Sequence, residues 1–172
     1  MVSSNSSLPS RYSASSGFTL IELMVTIAVM AIIVSIAAPN VSSQLANQRV
    51  KSTTATLHTA LREAKTESII RRKAITVEVN NKGTNAGTIK LIDVALDPQG
   101  LKPIGTYTYD AKSTITGKDG DNKAKDNSVF STDKTADAKV TYTICDSNTS
   151  ASPRQIEVSK LAAINIKLGG TC

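Results

Sequence analysis

A run of 21 residues from Phe18 to Ala38, apolar except for one carboxylate and a few hydroxyls, constrains this chain more than any other feature in it. As a helix it would extend roughly 31 Å at about 1.5 Å per residue, which matches the hydrocarbon core of a bilayer. It reads as a transmembrane helix. The one ionisable group is Glu22, close to the start. A carboxylate in hydrocarbon costs on the order of 3 kcal/mol on insertion scales unless it finds a partner, so Glu22 is expected to have one. If the chain were cut after Gly17, the new amino group of Phe18 would lie about one helical turn from Glu22 and could neutralise the same acid on a neighbouring copy. Two blander readings stand beside this one. The run could be a secretory signal cleaved near Ser35-Ile36-Ala37, although it is long for such a signal and would need no acid at its start. Alternatively, Glu22 could snorkel to the interface.

Gly17-Phe18-Thr19-Leu20-Ile21-Glu22-Leu23 matches at every position the processing motif of type IV prepilins and type II secretion pseudopilins, and the sequence resembles that family over residues 17 to about 60. The resemblance implies that a membrane prepilin peptidase cuts between Gly17 and Phe18 and methylates the new Phe18 amine. It implies that Glu22 serves assembly and that Pro39 bends the helix. Three segments follow: a cleaved leader over 1–17, the transmembrane and assembly half of an N-terminal helix over 18–45, and a periplasmic globular domain over 46–172. The implied location is a single pass of the inner membrane of a Gram-negative bacterium, then a pilus fibre or its tip. The leader departs from the family habit, being Ser-rich with Arg11 as its only charge. Arg49 and Lys51 beyond the span slightly oppose the expected orientation, which therefore rests on the motif.

Beyond Pro39 the helical pattern continues. Val41, Leu45, Leu57, Ala60, Leu61 and Ala64 recur at helical spacings between polar residues, predicting one long helix from Phe18 to about Arg72 whose second half, from about residue 46, has a single apolar stripe. Arg71, Arg72 and Lys73 close it where cations suit the macrodipole. From residue 74 the period becomes two. Strands are expected at Ala74 to Val79, Thr88 to Leu96, Thr106 to Tyr109, Val140 to Ile144, Gln155 to Val158 and Ala163 to Leu168. Thr116 to Ala138, rich in Lys, Asp, Gly, Asn and Ser, reads as a long surface loop. A sheet with one face on the helix stripe gives an α+β domain, which the resemblance extends to a type IV pilin fold: a long N-terminal α-helix packed on an antiparallel β-sheet.

Cys145 and Cys172 are the only cysteines. In an exported domain they should pair, and closing the loop would contribute roughly 3.5 kcal/mol in the chain-entropy model; two buried thiols are the alternative. His58, the only histidine, has no Cys or second His at metal spacing and is expected on the helix surface. No phosphate loop, nucleophile elbow or zinc motif is present, so neither an enzyme nor a cofactor is expected.

A long helix followed mainly by strands resembles the FimT/FimU/GspH branch of the family, and the C-terminal cysteine pair is most like FimU. That resemblance implies a minor pilin that takes part in initiating pilus assembly and sits in a tip complex with other minor pilins and the major pilin. A secretion pseudopilin of the GspH kind is the first alternative. DNA capture, as in FimT-like members, is the second, and there a Gly-Arg-x-Arg element would be expected. The nearest match here is Ser152-Pro153-Arg154-Gln155, with Lys160 and Lys167 farther on. The net charge of +6 favours anionic partners only mildly. Arg154, Lys160 and Lys167 are the residues that could contact DNA if the strands bring them together; as separate residues they would be solvated edge cations.

Overall fold

A computed structural model of the chain describes residues 17–81, 83, 85–97 and 102–172, and at 37–40 the backbone alone. Its long helix, α1, runs Leu20–Arg71, 52 residues. Thr19 starts it. The Thr19 carbonyl accepts the Leu23 N–H and its hydroxyl accepts the Glu22 N–H, both at 3.2 Å, so two orphan donors of the first turn are satisfied. Thr19 and Glu22 also stand at capping-box spacing. At the other end Arg72 takes φ 53° and the Lys73 N–H reaches the Ser68 carbonyl at 3.2 Å, a Schellman closure with Arg where Gly is usual. The basic triplet thus divides its work. Arg71 pairs with Glu67 one turn earlier, Arg72 turns the chain, and the Lys73 ammonium stands 3.7 Å from the Asp93 carboxylate.

The chain divides into two units, Met1–Pro39 and Asn40–Cys172. In the first, the large apolar side chains from Phe18 to Ile36 are each 50–77% exposed, an apolar surface suited to lipid or to other helices. No single helix among the described residues is long and apolar enough to cross a membrane; the segments Leu20–Ile36 and Val41–Arg71 satisfy length and composition when taken together. The bend expected at Pro39 falls on a side chain outside those described.

In the second unit α1 buries Ala46, Val50, Thr53, Thr54, Leu57, Ala60, Leu61, Ala64 and Ser68. Val41 and Leu45, which precede the stripe expected from about residue 46, are exposed. At about 100° per residue Leu45 sits roughly 120° round the helix from Leu57 and Val41 roughly 160°, whereas Ala46 and Val50 each fall within about 20° of it. The stripe therefore begins at Ala46.

Among the described residues eight antiparallel strands follow. They are β1 (Ile75–Asn80), β2 (Gly87–Asp93), β3 (Gly105–Tyr109), β4 (Ser113–Asp119), β5 (Asn127–Phe130), β6 (Val140–Asp146), β7 (Arg154–Val158) and β8 (Ile164–Leu168). They form two sheets rather than the one expected, in orders β3-β2-β1-β5 and β4-β6-β7-β8. The chain changes sheet between β3 and β4, between β4 and β5, and between β5 and β6. One core joins both to α1, with Ile75, Val77, Ile89, Leu91 and Phe130 from the first sheet and Ile115, Val140, Tyr142, Ile144, Ile156 and Val158 from the second. β2 stops at Asp93, short of the expected Leu96, because the Asp93 carboxylate accepts the N–H groups of Ala95 and Leu96 and turns the chain.

The stretch Thr116 to Ala138, expected as a loop, instead contains most of β4 and all of β5. Alternation is present there, but three of its five inward positions are small or polar. On β4 these are Ser113, Ile115 and Gly117, and on β5 Ser128 and Phe130. Gly117 is required by close approach: a Cβ there would lie 1.9 Å from the Lys125 carbonyl oxygen and 3.1 Å from the Tyr142 ring. Ser128 and the Tyr142 hydroxyl share a buried hydrogen bond of 2.7 Å, linking the two sheets. Asn81 makes a second link, accepting the Tyr109 hydroxyl at 2.6 Å and the Ile115 N–H at 3.0 Å while donating to the Ile115 carbonyl.

Candidate functional site

The residues singled out by the sequence lie in three places. Gly17 and Phe18 precede α1 in irregular backbone and Glu22 occupies its first turn. Phe18 is 76% exposed. A Cβ at Gly17 would meet nothing within 4 Å, so no contact within the described residues demands glycine there. Thr19, which sequence reading passed over, ends the irregular segment by capping the helix. Its signal was present: a hydroxyl residue three positions before an acid.

The second place is the end of β6. Cys145 and Cys172 are disulfide-bonded, with Cα atoms 5.9 Å apart, so the C-terminal tail is tied back to β6. The next residue, Asp146, has a fully covered side chain and is gripped by Arg49 of α1, Nε to Oδ2 at 2.8 Å and Nη2 to Oδ1 at 2.9 Å. Burial works against ionisation of Asp146, but the Arg49 hydrogen bonds, the Asn148 N–H and the charges of Arg49 and Lys112 together outweigh it and hold the carboxyl below its ordinary value. Two further contacts bind the same loop to α1: Asn148 Nδ2 donates to Ser42 Oγ at 3.1 Å, and the Ser152 N–H donates to Asn47 Oδ1 at 2.8 Å. The local pattern of the sequence offers no sign of this clamp, because its partners stand 97 residues apart.

The third place is the second sheet, where Arg154, Lys160 and Lys167 fall. The strands do not bring them together. On β7 Arg154 shares a side with the buried Ile156 and Val158, while Gln155 and Glu157 point the other way. Lys167 on β8 is registered opposite Gln155, so it lies on the outer face and Arg154 on the inner. Lys160 is exposed in the turn between the two strands. Lys167 is also occupied, because it and Lys139 both pair with Glu157. Those two lysines draw the Glu157 carboxyl down to about 2.

His58 is half-buried rather than on the open surface, beside Arg62 and Lys65 of α1 and the turn at Ala162 to Ile164. Elsewhere Tyr107 donates to Glu63, which with burial pushes its phenol up to about 12. Among the described residues no group of His, Cys, Asp and Glu is placed to hold a metal ion.

Residues 12–38 match the prokaryotic N-terminal methylation motif. No curated protein matches the chain. Among solved structures the fold is similar to the type IV minor pilin FimU of Pseudomonas aeruginosa, at TM-score 0.57 and 18% identity, covering 73% of this chain and 96% of that one. It is equally similar to the minor pseudopilin EpsH of the Vibrio cholerae type II secretion system, at TM-score 0.58 and 9% identity over 73% and 98%.

Proposed function

We propose that this chain, whose N-terminal methylation motif and fold together support a type IV minor pilin or pseudopilin, is a non-enzymatic minor pilin that helps to initiate type IV pilus assembly and sits in the pilus tip complex. The observation that carries this reading is the apolar surface from Phe18 to Ile36, exposed throughout, with Glu22 near its start as its only charged residue. Such a surface needs lipid before assembly and other helices after it.

The steps follow from the residues. The chain is held in the inner membrane by this helix, with the domain from about residue 46 in the periplasm. A prepilin peptidase cuts between Gly17 and Phe18, where the backbone is not yet helical. The freedom around Gly17 supports a requirement imposed from outside the chain. The new Phe18 amine, methylated, then neutralises Glu22 of an adjoining subunit, which lets the helix leave the bilayer without an unpaired charge in an apolar bundle. Other minor pilins and the major pilin are the partners.

A second reading, a minor pseudopilin of type II secretion, is favoured by the equal likeness to EpsH. DNA capture has less support, since Arg154, Lys160 and Lys167 do not share a surface.

The deciding experiment is a deletion strain assayed for sheared surface pili and for transformation frequency, with complementation. Loss of pili restored by the gene upholds the assembly reading. Normal pili with collapsed transformation would replace it by DNA capture, and normal pili with failed protein secretion by the pseudopilin.

A further inference from the structure

We propose that the groove between α1 and the β7–β8 turn is a binding site for a single phosphate group, held by Arg62, Lys65 and His58. The three side chains line a cavity of about 400 Å³ whose far wall is Ala162, Ala163 and Ile164. On α1 they stand at i, i+4 and i+7, within an arc of about 60° at 100° per residue, so they point one way. Their Cα atoms span only about 10 Å along the axis, within reach of an Arg and a Lys converging on one ion.

The groove is built rather than incidental. Lys65 donates to the Ala162 carbonyl at 2.8 Å, leaving its remaining donors free. That carbonyl belongs to a tight turn in which Ala162, though not glycine, takes φ 51° and is buried. The turn is closed by hydrogen bonds from the Ala162 N–H to the Ser159 carbonyl and from the Ala163 N–H to Ser159 Oγ, both donors being thereby used. The positive charge is also unspent. Among the described residues, neither Arg62 nor Lys65 stands in an ion pair. The neighbouring acids of α1 are committed elsewhere: Glu63 accepts from Tyr107 and Glu67 from Arg71.

Two cations and an imidazole facing one concavity without a counter-acid suit a compact, multiply charged oxyanion. The guanidinium offers parallel donors to two oxygens, the ammonium a point charge, and the imidazole a third donor. Ala163 and Ile164 close one side of the groove. The basic side chains converge on one point of the groove and form no extended track for a chain of phosphates, which distinguishes it from a nucleic-acid groove.

The test uses the full chain in detergent, with binding of sodium phosphate and of dimethyl phosphate measured by titration calorimetry against sodium chloride at equal ionic strength. Phosphate should bind above the chloride background. Arg62→Gln should weaken it at least about tenfold, the size expected for loss of a charge-assisted pair, while Lys167→Gln leaves it unchanged; circular dichroism confirms that both variants fold. Binding of phosphate alone assigns the site to free phosphate or a monoester, and binding of both probes extends it to a diester. Failure of both to exceed chloride, or an Arg62→Gln protein that binds as tightly as the parent, overturns the proposal.

Discussion

Arg49 grips both carboxylate oxygens of Asp146 from 97 residues away, and the Asp146 side chain is fully covered while Arg49 remains 23% exposed. Removing Arg49 strands a buried carboxylate. Arg49→Ala should therefore lose about 3 kcal/mol, the lower end of the range for a broken buried pair, because Arg49 is partly solvated. The check is the shift in urea midpoint at pH 7. Since Asp146 is held below its ordinary pKa, its contribution is complete above the unfolded value and is lost as pH falls through the folded one. The acid limb of the stability curve should be shallower in Arg49→Ala.

Glu157 is the second acid-sensitive group. Its carboxyl, drawn from 4.5 to about 2 by Lys139 and Lys167, contributes stability that is present above pH 4.5 and fades between there and about 2. Both lysines are more than half exposed, so the contribution is small, of the order of tenths of a kcal/mol. Thermal midpoints of Glu157→Gln and parent, measured from pH 6 to pH 2, should converge at the acid end.

Gly117→Ala should cost about 1–3 kcal/mol, the range for overpacking, because its new methyl would run into the Lys125 carbonyl, a backbone atom that cannot swing aside. Gly120→Ala, three residues on and open on every side, should stay within about 0.5 kcal/mol of the parent. Equal losses in paired denaturation curves would refute the close approach.

Arg72 holds a left-handed conformation at φ 53°, which costs a residue with a Cβ roughly 1 kcal/mol. Arg72→Gly should recover up to about 1 kcal/mol, read as a raised urea midpoint with an unchanged slope.

Glu22→Val should leave cleavage after Gly17 largely intact while reducing the amount of protein in sheared fibres. Immunoblots of membranes and fibres separate the two steps. Normal incorporation would sink the pairing of Glu22 with the Phe18 amine.

Much of this was legible in the sequence, and the parts that were not share a cause. β1 and β6 declare themselves because Ile75, Val77 and Val79, or Val140, Tyr142 and Ile144, alternate large and apolar against polar neighbours. β4 and β5 alternate just as strictly, but with Ser113, Gly117 and Ser128 at inward positions the signal is too small to see. The separation of Arg154 from Lys167 follows from a register that places Lys167 opposite Gln155, which no local pattern specifies. The N-terminal methylation motif was readable because its information is local.

The disulfide between Cys145 and Cys172 has a mechanical meaning. Its loop spans 27 residues of sequence, which could otherwise extend to about 90 Å at roughly 3.4 Å per residue. When the domain is pulled from its ends, that length is withheld. Force reaching Cys172 passes across the sulfurs into β6, beside the Asp146 that Arg49 holds, and enters α1 without unravelling β7 or β8.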